Sequence, residues 1–284
     1  MWDVFGLNLE SIIQNNFPMF RLTLTMLLSG ALFFMACNDD DNDAEPEPDP
    51  KGSTLIAIDH EVDGDPLELD EIKYENAAGN IYSVFRLRYF VTDFAFHKEN
   101  GDVIDGDNIH LRNVTKEDSR EFKLEENLEA GDYEKITFTF GLDEDKNEHM
   151  RYSDNFEFQQ MEWPEPMGGG YHYMQLDGNY YKEEGADSSS AFNTHTGRVM
   201  EAEDEDTIKH DNHFTVEFEE EFSIEDGDQL EMDLVMDINE WYENPNMYDF
   251  SNYDGIMANQ EAQELLRENA IQNDLFRIEE LSIE

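Results

Sequence analysis

The chain has 284 residues, and its 18 Lys and Arg face 69 Asp and Glu, a formal net charge of −51. Phosphate contacts need Lys and Arg, so this balance excludes nucleic acid as a partner and disfavours an anionic membrane surface. Hydrophobic residues still make up 39%, with 20 Phe and 12 Tyr. That is enough for a core, and the acidity reads as a solvated, self-repelling surface rather than as disorder.

In chain order, Arg21 precedes sixteen uncharged residues, Leu22 to Cys37. One positive charge, an apolar middle and the small Ala36 predict a signal peptide over residues 1–37. The run is shorter than the roughly twenty apolar residues of a membrane span. Met19 reads as the start of this signal, because residues 1–18 carry Asp3 and Glu10. Cys37 is the only cysteine, so no internal disulfide framework exists. Its place after Phe34-Met-Ala36 resembles a bacterial lipoprotein box, which makes Cys37 the expected lipidation site. Residues 38–53 begin with acids and prolines and hold no large apolar side chain until Thr54. They are expected to form a disordered tether. Acids directly after the cysteine resemble the surface-export signal of Bacteroidetes lipoproteins, so the expected location is extracytoplasmic, on the outer membrane and at the cell surface.

A single domain is expected over 54–284. Period-two alternation dominates it: Ile136, Phe138 and Phe140; Phe214, Val216 and Phe218; Leu230, Met232, Leu234, Met236 and Ile238. Such strands bury one face and wet the other. Asp63-Gly64, Asn100-Gly101, Asp105-Gly106 and Asp226-Gly227 supply turns. Phe85, Leu87, Tyr89 and Val91 share one parity while Phe94 and Phe96 take the other, which predicts a bulge or a strand crossing. The predicted fold is mainly β, an antiparallel β-sandwich or barrel-like domain. A C-terminal helix follows over Gln260–Phe276, with Ala262, Leu265, Leu266 and Ala270 at helical spacing. The aromatic loop from Trp241 to Phe250 reads as a lid on the core. Asp143-Glu-Asp-Lys-Asn147 begins like a calcium loop, but Glu148 stands where the turn needs Gly, so it is rejected as an EF-hand.

The segment Met161–Gly178, followed by Phe192–Gly197, carries the candidate chemistry. It gathers Trp163, His172 and His195 with Met161, Met167 and Met174. Imidazole and thioether together suit copper better than magnesium or calcium. His172 follows three glycines on a predicted strand whose same-face neighbours are Met174 and Leu176, so its imidazole is expected to point inward and to need a partner. His60 lies near the end of the first predicted strand. His97, His149, His210 and His213 sit among charges at turns or strand ends and are expected to be structural or solvated.

Five stretches come in the order expected of a known family: Asp59–Leu67, Arg88–Asp93, Gly131–Asp143, Met161–Gly178 and Phe192–Gly197. Over roughly residues 54–280 the chain resembles the MbnP-like family, the methanobactin-associated periplasmic copper-binding proteins and their Bacteroidetes relatives. The most specific pieces are Met161-x-Trp163, Gly170-Tyr171…Leu176-x-Gly178 and His195-Thr-Gly197. The resemblance implies a β-rich extracytoplasmic protein that binds copper, Cu+ or Cu2+, through histidines. It implies His60, His172 and His195 as metal ligands and Trp163 as a tryptophan open to oxidation to kynurenine. Trp163-Pro-Glu165 lacks the histidine that some members place two residues from that tryptophan. No HExxH, CxxC or GxSxG motif is present, so no enzymatic activity is expected. A surface module holding glycan or protein on Trp163, Tyr171, Tyr173, Tyr180 and Tyr181 is the alternative.

Overall fold

A computed structural model describes residues 53–182, 185–203, 206–253 and 255–284. They belong to one compact unit, Pro46–Glu284; the other unit, Met1–Glu45, lies outside the described residues. The expected signal peptide, Cys37 and most of the acidic tether therefore also lie outside them.

The alternating sequences become eight principal strands: β1 (Thr54–Val62), β2 (Ile81–Lys98), β3 (Gly131–Phe140), β4 (Met174–Tyr181), β5 (Ser190–Thr196), β6 (Phe214–Phe218), β7 (Leu230–Asp237) and β8 (Phe276–Ile283). Among the described residues, one sheet is five-stranded, with the order β8–β7–β1 and the short strands Asp65–Pro66 and Glu121–Lys123 both paired to β1. The other is nine-stranded, built on the path β5–β4–β2–β3–β6. Pairing is mostly antiparallel; β1 and β7 run parallel, with Ile56 beside Met232 and His60 beside Met236. Among the described residues no closed barrel forms. One apolar cluster joins the two sheets, taking Ile56 and Ile58 from β1, Leu234 and Met236 from β7, Tyr89 from β2 and Phe138 and Phe140 from β3. That shared burial is what fixes the register of strands with one wet face.

The expected phase change in β2 is a register shift against β3 between Thr92 and Ala95, where Asp93 adopts φ 56°. A second shift, against β4, falls between Val84 and Arg86. It leaves Val84 and Leu87 buried and turns Phe85 out of the core, so Phe85 does not share the inward face expected of it.

The C-terminal helix α1 spans Gln260–Gln272, and the Asn259 side chain caps it by accepting from Ala262 N at 3.1 Å. Ala262, Leu266 and Ala270 are buried, as the spacing predicts. The helix stops short of Phe276, because that residue opens β8 instead. Its ring packs edge-on against Phe138 at 5.1 Å in the intersheet core, a contact that a continuing helix would forfeit. From the predicted aromatic lid, Trp241, Tyr242, Tyr248 and Phe250 are buried in the core. Phe250 stacks flat on Phe192 at 4.1 Å.

Candidate metal centre

Strand alternation divides β4 and β5 cleanly. Met174 and Leu176 enter the intersheet core, so Gln175 and Asp177 point to the other, outer face of the nine-stranded sheet. His195 pairs with Gln175 and Asn193 with Asp177, which puts both on that outer face. His172 joins them from the segment before β4. A bend at Tyr173 reverses the alternation, so His172 does not share the inward face of Met174 and Leu176 that the sequence spacing predicts. It meets His195 edge-to-face, with ring centres 5.0 Å apart. The Trp163 ring meets His172 on another side at 4.7 Å, again nearly perpendicular.

Local chemistry holds the three rings. Trp163 N donates to Gly170 O at 2.8 Å, and its indole Nε1 donates to Met167 O at 3.2 Å. Gly197 lies under the indole: a Cβ there would stand 2.8 Å from Trp163 Cε3, so only glycine permits the approach. This accounts for the glycine of the His195-Thr-Gly197 element. Gly170 has φ 86° and lets Tyr171 N reach Asn147 Oδ1 at 2.7 Å, which anchors the turn into His172.

Edge-to-face rings at such distances occur in ordinary cores. What sets this pair apart is its hydrogen bonding. His172 Nδ1 lies 3.0 Å from Met161 O. A carbonyl only accepts, so Nδ1 carries the proton and Nε2 keeps its lone pair. His195 Nε2 lies 2.9 Å from Asp177 Oδ1, so Nε2–H donates and Nδ1 keeps the lone pair. Carboxylate and carbonyl partners of this kind orient metal-binding imidazoles. Burial, then the neighbouring His195, pushes His172 down to about 3, so it stays neutral and free to donate its lone pair well into the acid range.

Asp177 is fully buried. Burial alone would raise its carboxyl, but the hydrogen bonds from His195 and the Asn193 amide, with the Arg86 charge, hold it below the usual carboxylate range. Arg86 Nε stands 2.9 Å from Asp177 Oδ2 as an ion pair without hydrogen-bond geometry. Sequence reasoning missed Asp177, whose burial follows from the strands that cover Met174–Tyr181 on both sides and which, as a buried acid, needs a partner.

His60, expected among the ligands, stands elsewhere. It projects from β1 between the sheets and bonds Tyr89 OH through Nε2 at 2.8 Å. Burial pushes it down to about 3. Tyr89 lies in the intersheet core, so the nine-stranded sheet separates His60 from the pair on its outer face. Two of the three methionines serve as packing: Met161 and Met174 are fully buried in apolar clusters, while Met167 is half-buried outside them. Among the described residues no three His, Cys, Asp or Glu side chains converge into a closed metal cage. Three of the other histidines have local partners, His97 against Thr137 at 3.0 Å, His110 against Ser119 O at 2.8 Å and His210 against Glu201 at 3.1 Å. The aromatic platform of the alternative reading is corrected as well. Trp163, Tyr171, Tyr173 and Tyr180 are all buried and Tyr181 alone is half-exposed, so the five form no stacking platform for a glycan or a protein.

The family model described as MbnP matches residues 51–259. The chain belongs to the MbnP family. A solved structure, MbnP from Methylosinus trichosporium, is similar at 13% identity, covering 71% of this chain and 80% of that one with a TM-score of 0.47. Among curated proteins none matches. MbnP proteins are extracytoplasmic, and among the described residues no helix is long and apolar enough to cross a membrane.

Proposed function

We propose that this MbnP-family protein binds copper on His172 and His195, and that it scavenges or handles the metal without catalysing a reaction. The observation that carries the reading is the pair of adjacent imidazoles, each with one nitrogen fixed by an acceptor and the other left with a lone pair. Imidazole nitrogen suits copper in either oxidation state. Asp177 would hold the His195 tautomer and raise its basicity. Trp163, packed on His172, is the residue whose oxidation to kynurenine the family resemblance implies. Cys37 would carry the lipid that anchors the protein to the outer membrane, with the acidic segment after it as a spacer.

The test is metal analysis of the protein after exposure to copper and desalting, beside a His172→Ala/His195→Ala double variant. About one copper per wild-type chain, absent from the variant, is the expected result. Equal copper in both would mean loose binding by the many surface acids and would remove the proposal.

A further inference from the structure

The outer face that carries the histidine pair also carries a groove of about 510 Å3 lined by Phe85, Arg86, Arg88, Lys116, Phe156 and Glu157 among others. In a chain with 18 Lys and Arg against 69 Asp and Glu, three cations beside a single carboxylate reverse the charge of the surroundings. Two of those cations are matched. Arg86 faces Asp177 at 2.9 Å and Lys116 faces Glu157 at 2.7 Å. Arg88 is not. It is 8% exposed, and its Nη1 and Nη2 donate only to the amide oxygens of Gln160 at 3.0 Å and Gln175 at 2.6 Å. Its Nε is buried without any partner.

A guanidinium has five N–H donors, so three remain beyond the two amide bonds. A buried cation with no counter-ion is costly, and tying two glutamines together requires no charge. Burial, and then Arg86, lower the proton affinity of Arg88, while Asp177 and Glu157 act the other way. The other large cavity sets Asp59, Glu61 and Glu279 against Arg112 and Arg277, so its carboxylates outnumber its cations.

We propose that this groove binds a small oxyanion, a carboxylate or a phosphate, on Arg88, with Lys116 and Arg86 as flanking charges. The planar fork of arginine matches two oxygens of such a group. Phe156, 70% exposed at the rim, offers an apolar contact to the body of an organic acid. The inference is independent of copper, because the site is complete in the metal-free chain.

The test is calorimetric titration of the metal-free full chain at low salt with inorganic phosphate and, separately, with benzoate. Saturable binding of at least one probe is expected, weakened about tenfold or more in Arg88→Gln and in Lys116→Gln, as for loss of one charge-assisted contact. Lys116 is half-exposed, so its variant keeps the question open to test if Arg88→Gln does not fold. Lys209→Gln, a surface lysine paired with Glu144 and Asp211 outside the groove lining, should bind like the wild type. Phosphate alone would name the source as phosphate; benzoate alone would name an organic carboxylate; both would uphold a general oxyanion site. No saturable heat with either probe up to about 10 mM, the weak end of specific affinity, would overturn the proposal. So would wild-type affinity in Lys116→Gln.

Discussion

His60 and His172 are both buried, and both are pushed down to about 3 by desolvation, yet only one belongs to a candidate site. His60 lies between the sheets, with Nε2 engaged by a tyrosine and aromatic packing around it. His172 lies on the outer face, where a second histidine, a buried carboxylate and an arginine are arranged in sequence behind it. Burial and lowered basicity thus fail to identify a metal ligand. What separates the two is their partners: His172 has one nitrogen fixed by a carbonyl and a second imidazole beside it, while His60 is tied to a tyrosine between the sheets.

The comparison breaks most visibly if the inner face is not the source of stability. Phe140 stacks on Tyr89 and on Phe214 and touches Trp241, so Phe140→Ala should cost about 3–5 kcal/mol. Thr215→Ala, exposed on the opposite face of β6 from Phe214, should cost far less. Urea unfolding of both variants measures the contrast, and equal losses would erase the division between a packing face and a functional face.

Acid should act on both histidines alike. His60 and His172, at about 3, and His110, at about 4, are all lowered from an unfolded value of about 6.5. The unfolded chain therefore takes up protons first. The stability these groups provide is complete above pH ~6.5 and is lost as pH falls through that value toward ~4. By pH 5 the loss is roughly 2 kcal/mol per histidine. Glu240, which burial and then Glu243 push up to about 7, works in the opposite sense over the same window and offsets part of it. The urea midpoint should fall between pH 7.5 and 5, and less steeply in His60→Gln. An unchanged slope in that variant would mean that His60 is not held neutral in the fold.

Asp177→Asn sharpens the other side. It keeps the shape but removes the charge that orients His195, and copper affinity should drop about 10–100-fold, as for partners that orient a metal ligand. Competition with a chelator of known affinity measures it. Tyr89→Phe should have the smallest effect, about 1 kcal/mol of stability from one buried hydrogen bond, with copper binding unchanged.

How much of this was legible in the sequence differs between fold and site. The strands at Ile136–Phe140, Phe214–Phe218 and Leu230–Ile238 announce themselves because each buries every second residue, a local signal. The shift near Asp93 is legible for the same reason. The strand Phe276–Ile283 was masked by the helix before it, since Phe276 also fits the helical spacing of Leu265 and Leu266. The parallel pairing of β1 with β7 joins segments far apart in the chain, which no local pattern encodes. At the site, His172, His195 and Trp163 could be read from their motifs. The separation of His60 could not, because it depends on which sheet face each strand presents. The inward orientation expected of His172 failed at one bend, at Tyr173, since a single reversal sends every later side chain to the other face.

The most direct test of the central claim is electron paramagnetic resonance of the protein loaded with one equivalent of Cu2+, beside His195→Ala and His60→Ala. The account predicts a single signal with nitrogen hyperfine structure from two imidazoles, reduced or lost in His195→Ala and unchanged in His60→Ala. A spectrum altered by His60→Ala and indifferent to His195→Ala would contradict it, and would place the metal between the sheets rather than on the outer face.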